Sequence, residues 1–166
     1  MINLSEKVVI FNAGNEDYAI AISYVISIEK LDHINPVPHL PEYMRGITKS
    51  RDTLIPVLDL GSILYDSRTA IDGDSRMIVI HTEELSFGLL VKEAKEIIEI
   101  PTEAQNQLGL IAYQKTKYFS SIANLEDRLI TMIDPAAMIE VSEGIKEIKD
   151  YLIEQKQDAK GNIVCS

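Results

Sequence analysis

The sequence is poor in cysteine and aromatic residues and rich in acidic ones. It contains one cysteine, no tryptophan and 6% aromatic residues over 166 positions. Cys165 has no partner for an internal disulfide, so we expect a reducing compartment and a fold that rests on its apolar core. The formal net charge of −10 disfavours binding to nucleic acid or anionic lipid, because both require a cationic surface. Proteins are the expected partners.

Signatures of membrane insertion, export and nucleotide binding are also missing. No apolar run approaches the roughly 20 residues that a spanning helix needs, and the opening MINLSEKVVIF does not resemble a secretion signal. There is no GxxxxGK, GxGxxG or GxSxG motif to hold a phosphate or carry an acyl group. We therefore predict a cytoplasmic protein without a cofactor and without direct membrane insertion.

The residues that could bind a metal are poorly spaced for that role. His33, His39 and His81 have neither ligand spacing nor a neighbouring cysteine. Asp72 and Asp74 resemble the opening of a calcium loop, but the ligands that should follow are absent. We interpret the two aspartates as part of a solvated linker turn and predict no metal site.

Two aspartates could be read as a catalytic pair. Asp59 and Asp134 stand at matching ends of two similar segments. A carboxylate that directly follows a buried strand often caps the next backbone turn, and symmetry favours that interpretation here. We expect no catalytic residues, and an enzyme with a β-barrel core is the remaining alternative.

The main positive feature of the sequence is an internal repeat. Residues 43–59, YMRGITKSRDTLIPVLD, recur 75 positions later as YFSSIANLEDRLITMID, with six of 17 pairs identical. Residues 7–22 align more weakly with residues 76–91, at an offset of 69. The change of offset places a six-residue insertion within residues 102–117. This pattern indicates a duplicated β unit.

The repeat predicts an all-β domain over residues 5–140, formed by two intertwined five-stranded β-barrel lobes. The copies span roughly residues 7–64 and 76–139, with a polar linker between them. Each lobe alone would bury little apolar area, so we expect a third core at the seam between them. A C-terminal helix over residues 141–155 is predicted from the spacing of Ile145, Ile148 and Leu152, and residues 156–166 are predicted to be a polar, flexible tail.

Prolines and turn residues refine this prediction. The segment NPVPHLPEY is expected to wrap a sheet edge, and Pro56 predicts an edge strand or a bulge within residues 54–59. Arg51 is the charged residue whose copy differs sharply, because Glu126 stands at the equivalent place. A guanidinium in a tight turn can bind a partner's carboxylate, or it can simply be solvated.

Four ordered blocks of the sequence resemble the CheW family of bacterial chemotaxis coupling proteins. They are KVVIFNAGNEDYAIAISYVISIEK, NPVPHLPEYMRGITKSRDTLIPVLDL, SFGLLVKEAKEIIEIP and SIANLEDRLITMID. The second block is similar to the family's VPGAP, GVINLRG and PVIDL signature, and the third to its GLLVDxVxEVLxLP element. The resemblance extends over residues 7–139.

This resemblance implies a non-catalytic adaptor that couples chemoreceptors to a kinase. Its implied partners are the cytoplasmic hairpin tip of chemoreceptors and the regulatory domain of the histidine kinase CheA, at membrane-associated receptor arrays. The positions that match the family's receptor-facing groove are Val25, Ile28, Gly46, Arg51, Gly88 and Ile97.

Several positions depart from the family pattern. The family's Asn-Leu-Arg-Gly is Lys49-Ser50-Arg51-Asp52 here, so the glycine of the turn is an aspartate, which tolerates a left-handed backbone better than most residues. Lys92 replaces an Asp of the family. These changes keep open a second reading, a CheW-like paralogue that links receptors to a kinase in surface motility or second-messenger control.

Overall fold

The structure is a computed structural model and describes residues 5–107, 118–142 and 144–153. Its strands are β1 (Ser5–Ala13), β2 (Glu16–Ala21), β3 (Val25–Glu29), β4 (Met44–Ser50), β5 (Thr53–Asp59), β6 (Arg76–His81), β7 (Ser86–Val91), β8 (Glu93–Pro101), β9 (Gln105–Gln107), β10 (Phe119–Leu125) and β11 (Arg128–Ile133). The helices are α1 (Leu60–Tyr65), α2 (Pro135–Val141) and α3 (residues 145–153). Single 3-10 turns lie at Ile22–Tyr24 and Thr102–Ala104.

The strands form two sheets, and each sheet mixes strands from both copies of the repeat. Sheet A has the order β8-β1-β2-β11-β10-β9, and sheet B has the order β3-β6-β7-β5-β4. The third strand of each copy therefore pairs with the first strand of the other copy. Each sheet is the wall of one lobe, which we call lobe A and lobe B. The predicted all-β fold of two intertwined lobes is confirmed, with the short strand β9 added to five principal strands in sheet A.

The registers of the sheets follow the repeat. Ile28 lies opposite Ile78 in the pairing of β3 with β6, and Ile97 lies opposite Val9 in the pairing of β8 with β1. Ile97 lies 69 positions after Ile28, and Ile78 lies 69 positions after Val9. This separation equals the offset of the front half of the repeat. The parallel contacts of β5 with β7 and of β11 with β2 correspond in the same way. Equivalent residues of the two copies therefore have equivalent strand neighbours, and the copies are related by pseudo-twofold symmetry.

Three apolar cores hold the fold together. The lobe A core contains Val8, Ile10, Ala19, Ile100, Ala123, Ile130 and Met132. The lobe B core contains Leu31, Ile55, Val57, Met77, Val79 and Leu90. The largest core joins both lobes and the helices, and among the described residues its buried members include Val9, Phe11, Ile20, Leu58, Ile78, Ile80, Phe87 and Leu89. We call it the seam core, and it confirms the predicted third core.

Strand β1 shows why parts of the sequence read as unbroken apolar runs. Successive residues of a strand point to opposite faces of the sheet. Val8 and Ile10 belong to the lobe A core, whereas Val9 and Phe11 belong to the seam core. A strand that is buried on both faces has no side that faces solvent, so the run VVIF contains no alternating polar residues.

Of the two expectations for residues 54–59, the edge strand is wrong, whereas the pairing with β4 does contain an irregularity, opposite Val57 and Leu58. Strand β5 lies between β4 and β7, and the irregularity of that pairing lies in β4, between Met44 and Gly46. Pro56 is opposite Ile47, whose backbone N–H and C=O both bond to Asn35 instead. Residues 53–56 also precede the pairing with β7, which begins at Val57. Pro56 therefore occupies a place where no ladder donor is required.

The prediction for the NPVPHLPEY segment is confirmed. Asn35 forms an isolated antiparallel bridge with Ile47 on β4, the last strand of sheet B. Thr48 Oγ1 donates to the carbonyl of His33 at 2.7 Å, and Ser50 Oγ donates to Glu29 Oε2 at 2.9 Å. These bonds connect β4 with the end of β3 and with the segment that follows it.

The linker between the copies is anchored by a buried carboxylate. Asp59 is fully buried and accepts hydrogen bonds from the backbone N–H of Thr69 at 2.8 Å and from Arg45 Nη1 at 2.8 Å. Further along the linker, Asp72 Oδ1 accepts from the backbone N–H groups of Asp74 and Ser75, each at 2.9 Å. The hydrogen bond from Ser75 is the main cause that lowers the pKa of Asp72. Residues 72–75 form a turn, as predicted.

A C-terminal helix is present and packs on the body of the protein. Ile145, Ile148 and Leu152 are buried in the seam core, whereas Ile153 is 53% exposed. The helix is separate from α2, because residue 142 is a bend and residue 144 a turn. Residues 108–117, most of the stretch in which the six-residue insertion is predicted, and the predicted tail (residues 156–166) lie outside the described residues. Within the described residues, no helix is long and apolar enough to cross a bilayer.

Candidate functional site

The first two sequence-predicted residues lie on β3 and face the seam. Val25 is opposite Ile80 and Ile28 is opposite Ile78, and both partners belong to the seam core. Directly opposed residues of an antiparallel pair share one face of the sheet. Val25 is half-buried against the seam core, and Ile28 is 39% exposed. The apolar face of β3 therefore continues from the seam core out to solvent.

Ile26 was missed by the sequence reasoning, although it adds to this surface. It lies at the irregularity in the pairing of β3 with β6 and is 42% exposed. Strict alternation along VISIE would place Ile26 on the face of Ile28 and Val25 on the opposite face, whereas the bulge brings Val25 and Ile28 to one face. A bulge cannot be predicted from VISIE, so the sequence did not decide which of these residues share a face.

Arg51 occupies a left-handed hairpin turn. Ser50 pairs with Thr53, which leaves Arg51 and Asp52 as a two-residue connection with φ of 48° and 65°. Two-residue turns with positive φ at both positions usually contain Asn or Gly. The expected survival of the turn with Asp52 in place of glycine is confirmed. Among the described residues, no hydrogen bond or ion pair holds the Arg51 side chain, which is exposed.

The Arg51 turn and β3 are neighbours. Glu29 at the end of β3 accepts from Ser50 Oγ at 2.9 Å and from Ser27 Oγ at 2.6 Å. The residue after Ser50 is Arg51, and the residue before Glu29 is Ile28. We call the surface formed by Val25, Ile26, Ile28 and Arg51 the β3–turn surface.

Charges of both signs lie near this surface. Lys30, Lys49 and Arg51 are exposed cations, whereas Glu29 and Asp52 are anions. Lys49 Nζ lies 3.6 Å from Asp52 Oδ1, with both side chains largely exposed, so water screens this pair. An apolar strip beside cations suits a partner helix or strand that carries apolar residues next to a carboxylate.

The two predicted glycines lie in the interior of lobe B. Gly46 has φ of 139°, and a Cβ built on it would lie 2.3 Å from the carbonyl oxygen of Asn35. A Cβ on Gly88 would lie 2.3 Å from Met77 Sδ. Both glycines are buried. They allow two chain segments to pack closely, and they present no side chain to a partner.

Ile97 lies on the other sheet. It is opposite Val9 of the seam core and is 55% exposed. It is the repeat counterpart of Ile28, so it also borders the seam, on the side of lobe A. The structure thus brings Val25, Ile28 and Arg51 together, and it places Ile97 at the equivalent position of the second copy.

The two aspartates that could form a catalytic pair are helix caps. Asp59 accepts from the backbone N–H of Gly61 and Ser62 at the start of α1. Asp134 accepts from Ala136 and Ala137 at the start of α2. This confirms the capping interpretation. Within residues 5–107, 118–142 and 144–153, no group of three or more His, Cys, Asp or Glu side chains could hold a metal ion.

Comparison with known proteins identifies the family of this architecture. The sequence model of the CheW-like domain matches residues 7–143. The chemotaxis protein CheW of Bacillus subtilis strain 168 is 28% identical over 151 residues, which cover 90% of this chain and 96% of that protein. The chemotaxis protein CheW of Thermotoga maritima is 31% identical over 124 residues, which cover 71% of this chain and 78% of that protein.

A solved structure agrees with the sequence comparison. The crystal structure of scaffolding protein TtCheW from Thermoanaerobacter tengcongensis superposes with a TM-score of 0.72 at 28% sequence identity. The superposition covers 78% of this chain and 89% of that chain. The chain therefore belongs to the CheW-like domain family.

Proposed function

We propose that this protein is a non-catalytic adaptor that couples chemoreceptors to the histidine kinase CheA in bacterial chemotaxis. The observation that carries the proposal is the β3–turn surface, an exposed apolar strip beside a free arginine, on a domain of the CheW-like family. The curated relatives are chemotaxis proteins, and the solved relative is described as a scaffolding protein. The protein would act at the cytoplasmic face of receptor arrays.

In this proposal the β3–turn surface binds the hairpin tip of the receptor. Val25 and Ile28 would supply affinity by excluding water, while Arg51 would select a partner carboxylate and fix the register. Gly46 and Gly88 would contribute by keeping lobe B closely packed. Ile97 would contribute from the equivalent position of lobe A.

The test is the binding of an isolated receptor hairpin fragment and of the CheA regulatory domain from the same cell. Arg51→Glu should weaken receptor binding by about tenfold or more, because a favourable charge contact becomes a repulsive one. Its thermal stability should stay near that of the wild type, because the side chain is exposed and unpaired in the described structure. Arg68→Glu, at an exposed linker arginine, is the matched control for the change in net charge.

Two further variants separate the halves of the proposed site. Ile28→Ser should weaken receptor binding more than Ile97→Ser, because Arg51 reinforces the surface only on the side of Ile28. Equal losses would assign both rims of the seam to the receptor. Undiminished binding by Arg51→Glu would remove Arg51 from the site.

The second candidate is a paralogue that serves another kinase pathway. The observation that favours it is the set of departures from the family pattern at Lys49, Asp52 and Lys92, which lie at or near exposed turns. A folded protein that binds neither CheA nor the receptor of the swimming pathway would support this candidate. The search would then turn to receptors and kinases of surface motility or second-messenger control.

A further inference from the structure

Helix α3 fills its place on the body of the protein only partly. Two clefts open to solvent, of about 250 Å³ and about 650 Å³, lie along one flank of the helix. Glu84, Lys149 and Ile153 line both clefts. The surface that α3 covers therefore continues beyond the helix on the flank of Lys149 and Ile153.

The attachment of α3 is weak at its edges. Lys149 Nζ bonds to Glu84 Oε2 at 2.8 Å, but the two side chains are 34% and 58% exposed. Ion pairs of this exposure contribute little, because water and salt screen them. The buried stripe of Ile145, Ile148 and Leu152 is the main attachment.

A glycine hinge separates α3 from the rest of the fold. Gly144 has φ of 88°, and a Cβ there would lie 2.9 Å from Pro41 Cγ. Helix α2 is capped independently, by Asp134 at its start and by the extended backbone of Ser142 at its end. The family match stops at residue 143, directly before Gly144. Helix α2 thus ends independently of α3, although Ile145, Ile148 and Leu152 of α3 belong to the seam core.

The surface under α3 borders the β3–turn surface. Thr53, Leu54 and Ile55 line the smaller cleft, and they directly follow the Arg51 turn. Leu85, from the turn between β6 and β7, lines the same cleft and packs against the seam core. A partner that engages Arg51 is therefore close to the place that α3 occupies.

We propose that the surface under α3 is a groove for an amphipathic helix of a partner protein, and that α3 is its intramolecular occupant. The groove accepts a helix with apolar residues at i, i+3 and i+7 and a lysine that faces Glu84. A partner helix with this pattern would displace α3, which swings out at Gly144. The tether gives α3 a high effective concentration, so the groove stays closed to weak competitors. The inference is independent of the proposed coupling function.

The test uses the helix of this chain as the probe. A fluorescent peptide with the sequence of residues 142–155, SEGIKEIKDYLIEQ, is titrated with the full-length protein and its variants. Lys149→Glu and Leu152→Ala change only the tethered helix and leave the groove intact. Lys149→Glu should bind the peptide about twofold more tightly than the wild type, because a screened attraction becomes a screened repulsion. Leu152→Ala should bind it at least about tenfold more tightly, because the tethered helix loses a buried contact.

Three controls complete the experiment. Glu147→Ala, on the exposed face of α3, should leave peptide binding unchanged. The double variant Glu84→Lys with Lys149→Glu restores the ion pair, and its peptide binding should fall to the wild-type value or below. Equal peptide affinity for the wild type, Lys149→Glu and Leu152→Ala would overturn the proposal. Dimerisation of Lys149→Glu on size-exclusion chromatography without peptide would also overturn it, because the groove would then belong to α3 of a second copy.

Discussion

Asp59 and Asp134 hold equivalent positions in the two copies but accept different numbers of hydrogen bonds. Asp134 accepts two backbone hydrogen bonds at the start of α2. Asp59 accepts the two equivalent bonds and three more, from Arg45 and from the backbone and side chain of Thr69. The repeat counterpart of Arg45 is Ser120, which has no charge to offer. The ion pair therefore belongs to the first copy alone, where the linker must be fixed.

This asymmetry predicts unequal costs for the same substitution. Asp134→Ala should lower the free energy of unfolding by about 1 kcal/mol, the usual cost of a lost helix cap. Asp59→Ala should cost about 3 kcal/mol or more, because Arg45, whose side chain is 14% exposed, then stays largely buried without its partner. Urea unfolding measures both values. Equal costs would mean that Arg45 finds water or another acceptor when Asp59 is removed.

Tyr18 makes the stability sensitive to alkaline pH. Burial, together with a hydrogen bond between its hydroxyl and that of Tyr65, raises the pKa of Tyr18 above its ordinary range. Burial also raises the pKa of Tyr118. A raised folded-state pKa favours the protonated phenol in the folded protein. The contribution of Tyr18 to the free energy of unfolding is therefore complete below the pKa of its phenol in the unfolded state. That contribution is lost as the pH rises toward the pKa of the phenol in the folded state.

Tyr18→Phe should reduce the loss of stability at alkaline pH. The free energy of unfolding of the wild type should fall between about pH 9 and pH 11.5, and the fall should be smaller for the variant, which has no phenol to ionise at this position. Chemical unfolding at a series of pH values provides the measurement. Tyr24→Phe, outside this aromatic group, is the control. Parallel curves for the wild type and Tyr18→Phe would show that other groups govern the alkaline range.

At the scale of elements, the β4–β5 hairpin stores strain in its turn. Arg51 and Asp52 both have positive φ, which costs an L-residue more than glycine. Asp52→Gly should raise the free energy of unfolding by about 0.5 kcal/mol, because relief of this strain exceeds the added entropy of the unfolded glycine. Asp127→Gly is a matched control, since Asp127 sits in the equivalent turn without positive φ. A larger gain from the control would show that backbone strain is not the cause.

The repeat predicted the strands and their equivalence because apolar alternation and turn residues are local properties. Contacts between residues far apart in the sequence are not local, so the place of Pro56 in the sheet was not predicted. Its tolerance depends on Asn35, which takes both backbone bonds of Ile47. The candidate site was predictable to the same degree. Ile28 and Arg51 could be located from their blocks, whereas burial of Gly46 and Gly88 depends on contacts with Asn35 and Met77 that no local pattern reveals.

At the scale of the whole molecule, the seam core makes the two lobes unfold together. Ile80 belongs to the seam core and Ile130 to the lobe A core, and both are fully buried. Ile80→Ala and Ile130→Ala should each lower the free energy of unfolding by about 3 kcal/mol. Each should keep a single transition, because neither lobe is complete without strands from the other copy. Far-ultraviolet circular dichroism and tyrosine fluorescence should report coincident midpoints, and a biphasic curve would contradict this.

The mixing of both copies in each sheet also determines what would happen if the chain were cut in its linker. Neither half would hold a complete sheet. The first fragment would keep β1 and β2 of sheet A with β3, β4 and β5 of sheet B, and the second would keep the remaining strands of both sheets. Each half alone would expose unpaired strand edges and half of the seam core, which favours aggregation. Mixed together, the halves would have to reassemble by mutual complementation. A nick in this linker would convert an intramolecular fold into an obligate two-fragment complex, whose stability depends on concentration.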